Sequence, residues 1–314
     1  MNKTSKTYDT FLRPGITIQG KWHHKQYVII RKLGKGAIGS VYLCESNGKK
    51  AALKVSDKSA SITMEVNVLK SLGKVQGRSL GPYLLDVDDW IVPGVGAFSF
   101  YVMEYIQGKT LPEYMNQRGE EWIGVFMLQL LDDLESLHEA GWVFGDLKVD
   151  NLLVTSSPAR LRWVDVGGTT QVGRAIKEYT EFYDRGYWGL GTRKAEPSYD
   201  LFALVMVFLS VYHPNHFPKG QNPQAILFNR VDRVKALKPY SSCLKKALVG
   251  KYQTSAEMKQ EISTVLYDLQ MQKTTRSNTN SISSRRQDKS SNALEYIGLV
   301  LLALGYYLSS LLIP

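Results

Sequence analysis

A chain of 314 residues with 44% hydrophobic composition can bury a substantial core, which excludes a disordered or low-complexity protein. The formal net charge of +10 keeps polyanionic partners open. Two cysteines, Cys44 and Cys243, exclude a disulfide framework and a cysteine metal cluster and suit a reducing compartment.

Residues 1–26 form an N-terminal extension without a continuous apolar stretch, so no signal peptide is expected. His23 and His24 have no cysteine or carboxylate at ligand spacing and read as surface residues. Leu33-Gly34-Lys35-Gly36-Ala37-Ile38-Gly39-Ser40-Val41 is a G-x-G-x-x-G-x-V loop between the apolar runs 27–30 and 41–43. It predicts a hairpin over phosphates, because a side chain at those glycines would block approach of the backbone to phosphate oxygens. Alone, the pattern also suits a dinucleotide-binding turn. Ala51-Ala52-Leu53-Lys54-Val55 then follows the V-A-I-K pattern, with Lys54 placed to pair with the α- and β-phosphates. Glu65, on the helix that follows, is the candidate partner of Lys54. The short interval between the two requires a trimmed connecting loop.

Gly145-Asp146-Leu147-Lys148-Val149-Asp150-Asn151 and Val164-Asp165-Val166-Gly167 supply two carboxylates, a lysine and a carboxamide. Phosphoryl transfer needs a carboxylate to take the proton of the incoming hydroxyl and oxygen ligands to hold magnesium on the triphosphate. Asp146 suits the first role, Asn151 and Asp165 the second, and Lys148 can neutralise charge developing during transfer. The run Leu201 to Leu209 is too short to span a membrane and predicts a buried helix. Thr254-Ser255-Ala256-Glu257 is a capping box that opens a further helix with Met258, Ile262, Val265 and Leu266 on its apolar face.

Residues 270–292 are rich in Ser, Thr, Asn and Arg and read as a tether. Tyr296 to Pro314 has no charged residue, so 293–314 is expected to be a single transmembrane anchor. Lys273, Arg276, Arg285, Arg286 and Lys289 precede it and keep the catalytic part on the cytoplasmic face of the cell membrane. A second basic cluster comprises Arg230, Arg233, Lys235, Lys238, Lys245, Lys246 and Lys251. Anionic lipid or non-specific nucleic acid would satisfy either cluster by the same electrostatics.

Taken together, the motifs from about Tyr27 to about Leu269 resemble the Hanks-type (eukaryotic-like) protein kinase family. More narrowly, Asp146-Leu147-Lys148, the run 165–170 and the stretch from Arg174 to Asp200 resemble the short, C-terminally membrane-anchored serine/threonine kinases of spore-forming Bacillus relatives. The resemblance implies an α+β, bilobal fold, with a β-rich N-lobe and hinge over 27–106 and a helical C-lobe over 107–269. It implies ATP and Mg2+ in the cleft between lobes and protein substrates phosphorylated on serine or threonine, as Lys148 suggests. It also makes Met103 the gatekeeper, with backbone groups of Glu104 and Ile106 facing adenine. The nucleotide-binding set is then Leu33, Gly34, Lys35, Gly36, Ala37, Ile38, Gly39, Val41, Ala52, Lys54, Glu65, Met103, Glu104 and Ile106.

Departures from the family pattern are specific. Phe144-Gly145-Asp146 replaces H-R-D, removing the arginine that clasps a phosphorylated activation loop, and Val166 replaces the phenylalanine of D-F-G. Ala195-Glu196-Pro197 stands where A-P-E would be shortened or rearranged before Asp200, the matched anchoring aspartate. Thr192 is the candidate for the threonine that touches Asp146. Because Gly-Asp also occurs in small-molecule phosphotransferases of the same broad fold, that activity stays open, as do a pseudokinase scaffold and a membrane tether for nucleic acid.

Overall fold

Alternation of apolar residues along successive short strands folds the first hundred residues into one antiparallel sheet. The computed structural model describes residues 7–36, 38–73, 80–281 and 301–302. After a short helix α1 (Thr7–Phe11) come β1 (Thr17–Gln19), β2 (Gln26–Lys35), β3 (Ser40–Ser46) and β4 (Lys49–Ser56). Helix α2 (Ser59–Leu72) follows, then β5 (Leu84–Val92) and β6 (Gly96–Glu104). The strand order is β1-β2-β3-β4-β6-β5. Period-two alternation splits β4: Leu53 and Val55 enter an apolar cluster with Tyr27, Ile29, Tyr42, Phe98 and Phe100, while Ala52 and Lys54 belong to the opposite face, beneath α2.

The extension before Tyr27 is part of this lobe. Leu12 and Ile18 are buried in its core, and β1 pairs with β2 in the register Thr17↔Val28. His23 is exposed as expected, yet the fold brings it carboxylates that its sequence neighbourhood lacks. Its Nδ1 lies 2.7 Å from Asp86 Oδ1, and Asp88 accepts the amides of Trp22 and His23 at 2.9 and 2.8 Å. Those carboxylates staple the extension to β5.

The second lobe is mainly helical. Strand β7 (Lys109–Thr110) leads into α3 (Leu111–Arg118), which Thr110 caps by accepting the Glu113 amide while the Glu113 side chain accepts the Thr110 amide. Then come α4 (Trp122–Glu139), β8 (Trp142–Val143), β9 (Leu152–Ser156), β10 (Ala159–Trp163), β11 (Thr170–Gln171), α5 (Arg185–Trp188) and α6 (Pro197–Tyr212). Helices α7 (Pro223–Arg233), α8 (Ser241–Leu248) and α9 (Ser255–Ser281) complete it. Helix α6 is buried from Tyr199 to Ser210 and forms the centre of the lobe, as the apolar run predicted.

Thr254 accepts the Glu257 amide at 3.3 Å, but the Glu257 carboxylate takes the Gln253 amide, one residue earlier than a closed capping box requires. Met258, Ile262 and Leu266 are buried, and α9 lies against α4. The helix runs on to Ser281, into the segment read as a tether. Residues 282–292, and all of the anchor but Leu301 and Leu302, lie outside the described residues. Among the described residues no helix is long and apolar enough to cross a membrane. Both cysteines are buried and unpaired, and burial pushes the Cys44 thiol up to about 12.

Candidate active site

The β2–β3 hairpin roofs a cleft of about 500 Å³ between the lobes. Leu33, Gly34, Lys35, Gly36, Val41, Ala52 and Lys54 line it from above, and Met103, Glu104 and Ile106 from the rear. Ala52 pairs with Met103 across the sheet, so the predicted gatekeeper and this alanine line the cleft side by side. Ile38 and Gly39 do not line the cleft. The Ile38 carbonyl accepts the Ser56 hydroxyl, and a Cβ on Gly39 would lie 2.3 Å from the Val55 carbonyl oxygen, so this side of the loop is packed onto β4. Ala37 lies outside the described residues.

Lys54 and Glu65 meet as expected: Nζ to Oε2 is 2.7 Å, with both side chains buried. Only Asp57 and Lys58 separate β4 from α2, the trimmed loop that the short interval requires. The Tyr101 hydroxyl, unforeseen in the sequence, donates to the same Glu65 oxygen at 2.7 Å. Lys54 also reaches Asp165 Oδ1 at 3.4 Å. Burial opposes the Lys54 charge, but Asp165 and Glu65 outweigh it and raise the pKa above the ordinary lysine value. The ammonium is therefore fixed as a cation at the back of the cleft.

Below the cleft, Asn151 donates to the Asp146 carbonyl at 2.9 Å, and Asp165 Oδ1 accepts the Gly167 amide at 2.9 Å. Lys148 lines the cleft floor and donates to Asp146 Oδ2. Asp146 itself stands just beyond the cleft lining, on the side of residues 165–200. Leu153 and Val164 complete the apolar floor; neither was given a role from the sequence, although Val164 opens the Val164-Asp165-Val166-Gly167 run and Leu153 lies two residues past Asn151.

Gly145 explains one departure from H-R-D. Its φ is +80°, and a Cβ there would lie 2.5 Å from the Gly168 carbonyl oxygen, so this backbone has no room for arginine. Asp200, fully buried, accepts the Phe144 and Gly145 amides at 2.7 and 3.0 Å and bonds His138 Nε2 at 2.9 Å. Phe144 packs edge-on against Trp163 at 4.8 Å, keeping an apolar column where a histidine would otherwise stand.

The threonine expected at Asp146 is not Thr192. Thr180 donates to Asp146 Oδ1 at 3.0 Å and accepts from Lys148 at 3.2 Å. Thr192 lies farther along, where its carbonyl takes Arg185 Nε at 2.7 Å. Glu196, in the rearranged Ala195-Glu196-Pro197 run, holds Arg185 at 2.6 Å at the start of α6. The carboxylate that organises α5 is Asp184, fully buried, which accepts the Gly186 and Tyr187 amides, the Tyr199 hydroxyl and Arg193. A further contact unread in the sequence joins the lobes at the hinge. Arg162 of β10 grips the Glu104 carboxylate at 2.9 and 3.3 Å and the Gly81 carbonyl at 3.1 Å.

Comparison with known proteins agrees with this geometry. The protein kinase domain family matches residues 27–285. The serine/threonine-protein kinase YabT of Bacillus subtilis is 52% identical over 263 residues, covering 83% of this chain and 78% of that protein. A probable serine/threonine-protein kinase 2 of Plasmodium falciparum is 30% identical over 153 residues, covering 45% of this chain and 28% of that protein. In fold, the chain is similar to the solved structure of vaccinia related kinase 3, with a TM-score of 0.59 and 16% identity, over 82% of this chain and 92% of that one. With the family match spanning both lobes and the cleft, the chain belongs to the protein kinase domain family, as a serine/threonine protein kinase.

Proposed function

We propose that the γ-phosphoryl group of Mg-ATP is transferred in this cleft to serine and threonine hydroxyls of proteins, with Asp146 as proton acceptor. The observation that carries this reading is the convergence of Lys54, Asp165 and Asn151 on one side of Lys148 with Asp146 and Thr180 on the other. Asp146 holds both carboxylate oxygens toward Lys148 and Thr180, which fixes its direction, and an incoming hydroxyl would donate to it. Lys148, shared between Asp146 and the cleft, offsets negative charge that grows at the transferring group. Lys54 orients the phosphates.

The donor set suits magnesium. The Asn151 amide nitrogen is spent on Asp146, leaving its carbonyl oxygen, and Asp165 Oδ2 has no hydrogen-bond partner among the described residues, so two hard oxygens face the cleft. When bound, the ion neutralises the β- and γ-phosphates. Incubating the chain with labelled ATP, magnesium and a generic protein should yield phosphoserine and phosphothreonine, and chelation should stop it; no transfer under any metal condition would refute the reading. Thr180→Val should lower kcat about tenfold, the worth of one hydrogen bond to a charged group, with the KM for ATP unchanged. Steady-state phosphorylation rates check it.

Tethering of this kinase to the cytoplasmic face of the membrane by 293–314, and binding of a polyanion, belong to the same proposal. In the basic cluster, Lys245 and Lys246 are taken by Asp232 and Glu261, and Arg230 lies over the Phe217 ring. Arg233, Lys235, Lys238 and Lys251 are exposed, without an ion pair among the described residues, which supports phosphate contacts. Removing 293–314 should release the kinase from membranes, and the released protein should bind DNA with steep salt dependence. Binding absent at low salt would leave anionic lipid as the ligand of these cations.

A further inference from the structure

The family match starts at residue 27, yet the outer surface of the phosphate-covering hairpin is held by a residue well before it. One carboxylate, Asp9 of α1, reaches both strands. Its Oδ1 accepts the Tyr42 hydroxyl of β3 at 2.6 Å; its Oδ2 accepts Lys32 and Lys35 of β2 at 2.9 and 3.1 Å. Lys32 and Tyr42 are cross-strand partners, and Lys35 pairs with Ser40 nearer the tip. Between them the register shifts from Lys32 to Gly34, and the residue passed over is Leu33, which lines the cleft. Asp9 therefore bridges the irregularity that sets Leu33 and Gly34 over the nucleotide.

The anchor of this carboxylate is firm. Leu12, just after α1, is buried, and Gly15 and Ile16 exchange backbone hydrogen bonds of 2.8 Å with Ile29. Burial disfavours the Asp9 charge, but hydrogen bonds from Tyr42, Lys32 and Lys35 prevail and hold its carboxyl well below the usual range. The contact also engages Lys35 on the outside of the hairpin. Its ammonium is thus held by Asp9, while the residue still lines the cleft.

We propose that Asp9 is a positioning residue for phosphoryl transfer: from outside the family-matched region it clamps the bulged end of the glycine-rich hairpin in the shape that receives ATP. This rests on the reading that the hairpin covers the phosphates. A bulge in a two-stranded ribbon is a point of extra twist and weak pairing. A carboxylate bonded on both sides of it restricts the hinge motion of the tip without touching ligand.

The test uses the full chain and Asp9→Asn, which keeps size and removes charge. The KM for ATP should rise about three- to tenfold, the range of one charge-assisted contact, with kcat and the KM for protein substrate within about twofold. Asp9→Glu should restore at least half of that loss. Lys35→Gln removes one of the three contacts and should raise the KM by less, and the double variant should be no worse than Asp9→Asn alone, since that substitution already weakens the Lys35 contact. Two results would overturn the proposal: an unchanged KM in folded Asp9→Asn, or a lower KM, which would mean that the carboxylate restrains Lys35 from the phosphates. Hydrogen exchange of amides 33–41 gives a readout independent of turnover. Faster exchange in Asp9→Asn without nucleotide is expected, and unchanged exchange sinks the clamp whether or not transfer proceeds as proposed above.

Discussion

Asp146→Asn is expected to lower the phosphorylation rate by about three orders of magnitude while leaving nucleotide binding near its native strength. The carboxylate takes a proton that an amide cannot accept, and positioned proton transfer of this kind contributes about 10²–10⁴-fold. Asparagine keeps the size of the side chain, so Lys148 and Thr180 retain one oxygen to bond. Nucleotide binding is spared because Lys54, Asp165 and Asn151, the residues assigned to the phosphates and the metal, are left in place. Transfer from labelled ATP and titration with a fluorescent nucleotide separate the two quantities. A variant keeping more than about a tenth of the native rate would move proton acceptance elsewhere.

What the sequence made legible was the part of the site in which chemistry fixes residue type and neighbours together. Glycines of the hairpin, Lys54, Asp146, Asn151 and Asp165 stand in short motifs whose backbone path is local. Glu65 was readable because helical spacing leaves few carboxylates able to face Lys54. Thr180 was not, because the threonine that meets Asp146 lies across a long irregular segment whose path depends on Asp184, Arg185 and Arg193, and Gly191-Thr192 offered a closer match to the expected pattern. The Asp9 clamp and the Arg162 contact with Glu104 were invisible for a different reason. Each joins side chains far apart in sequence whose approach is set by strand register and lobe packing, and neither leaves a local pattern. Helix α9 outran its forecast because composition argues only that a segment cannot fold alone, and a helix already anchored on α4 propagates at little nucleation cost.

Asp200→Ala should damage stability and catalysis together, because one buried carboxylate fixes the backbone from which Asp146 projects. Alanine removes the acceptor of the Phe144 and Gly145 amides and the partner of His138, whose other ring nitrogen already meets Ser255 at 3.0 Å. Each buried donor left unpaired costs about 1–3 kcal/mol, so a loss of roughly 3–5 kcal/mol in unfolding free energy is expected, read from the denaturation midpoint. Asp200→Asn retains one accepting oxygen and turns an amide group toward donors, which should place it between alanine and the native protein. Catalysis suffers in the fraction that stays folded, since freeing the Phe144 and Gly145 amides unties the backbone immediately before Asp146 and lets it carry that carboxylate off line. The active-site consequence is separable from unfolding by measuring kcat per folded molecule at low temperature. A folded Asp200→Ala protein with native kcat would show that the catalytic loop holds its shape without α6, and the anchoring role assigned to this aspartate would be wrong.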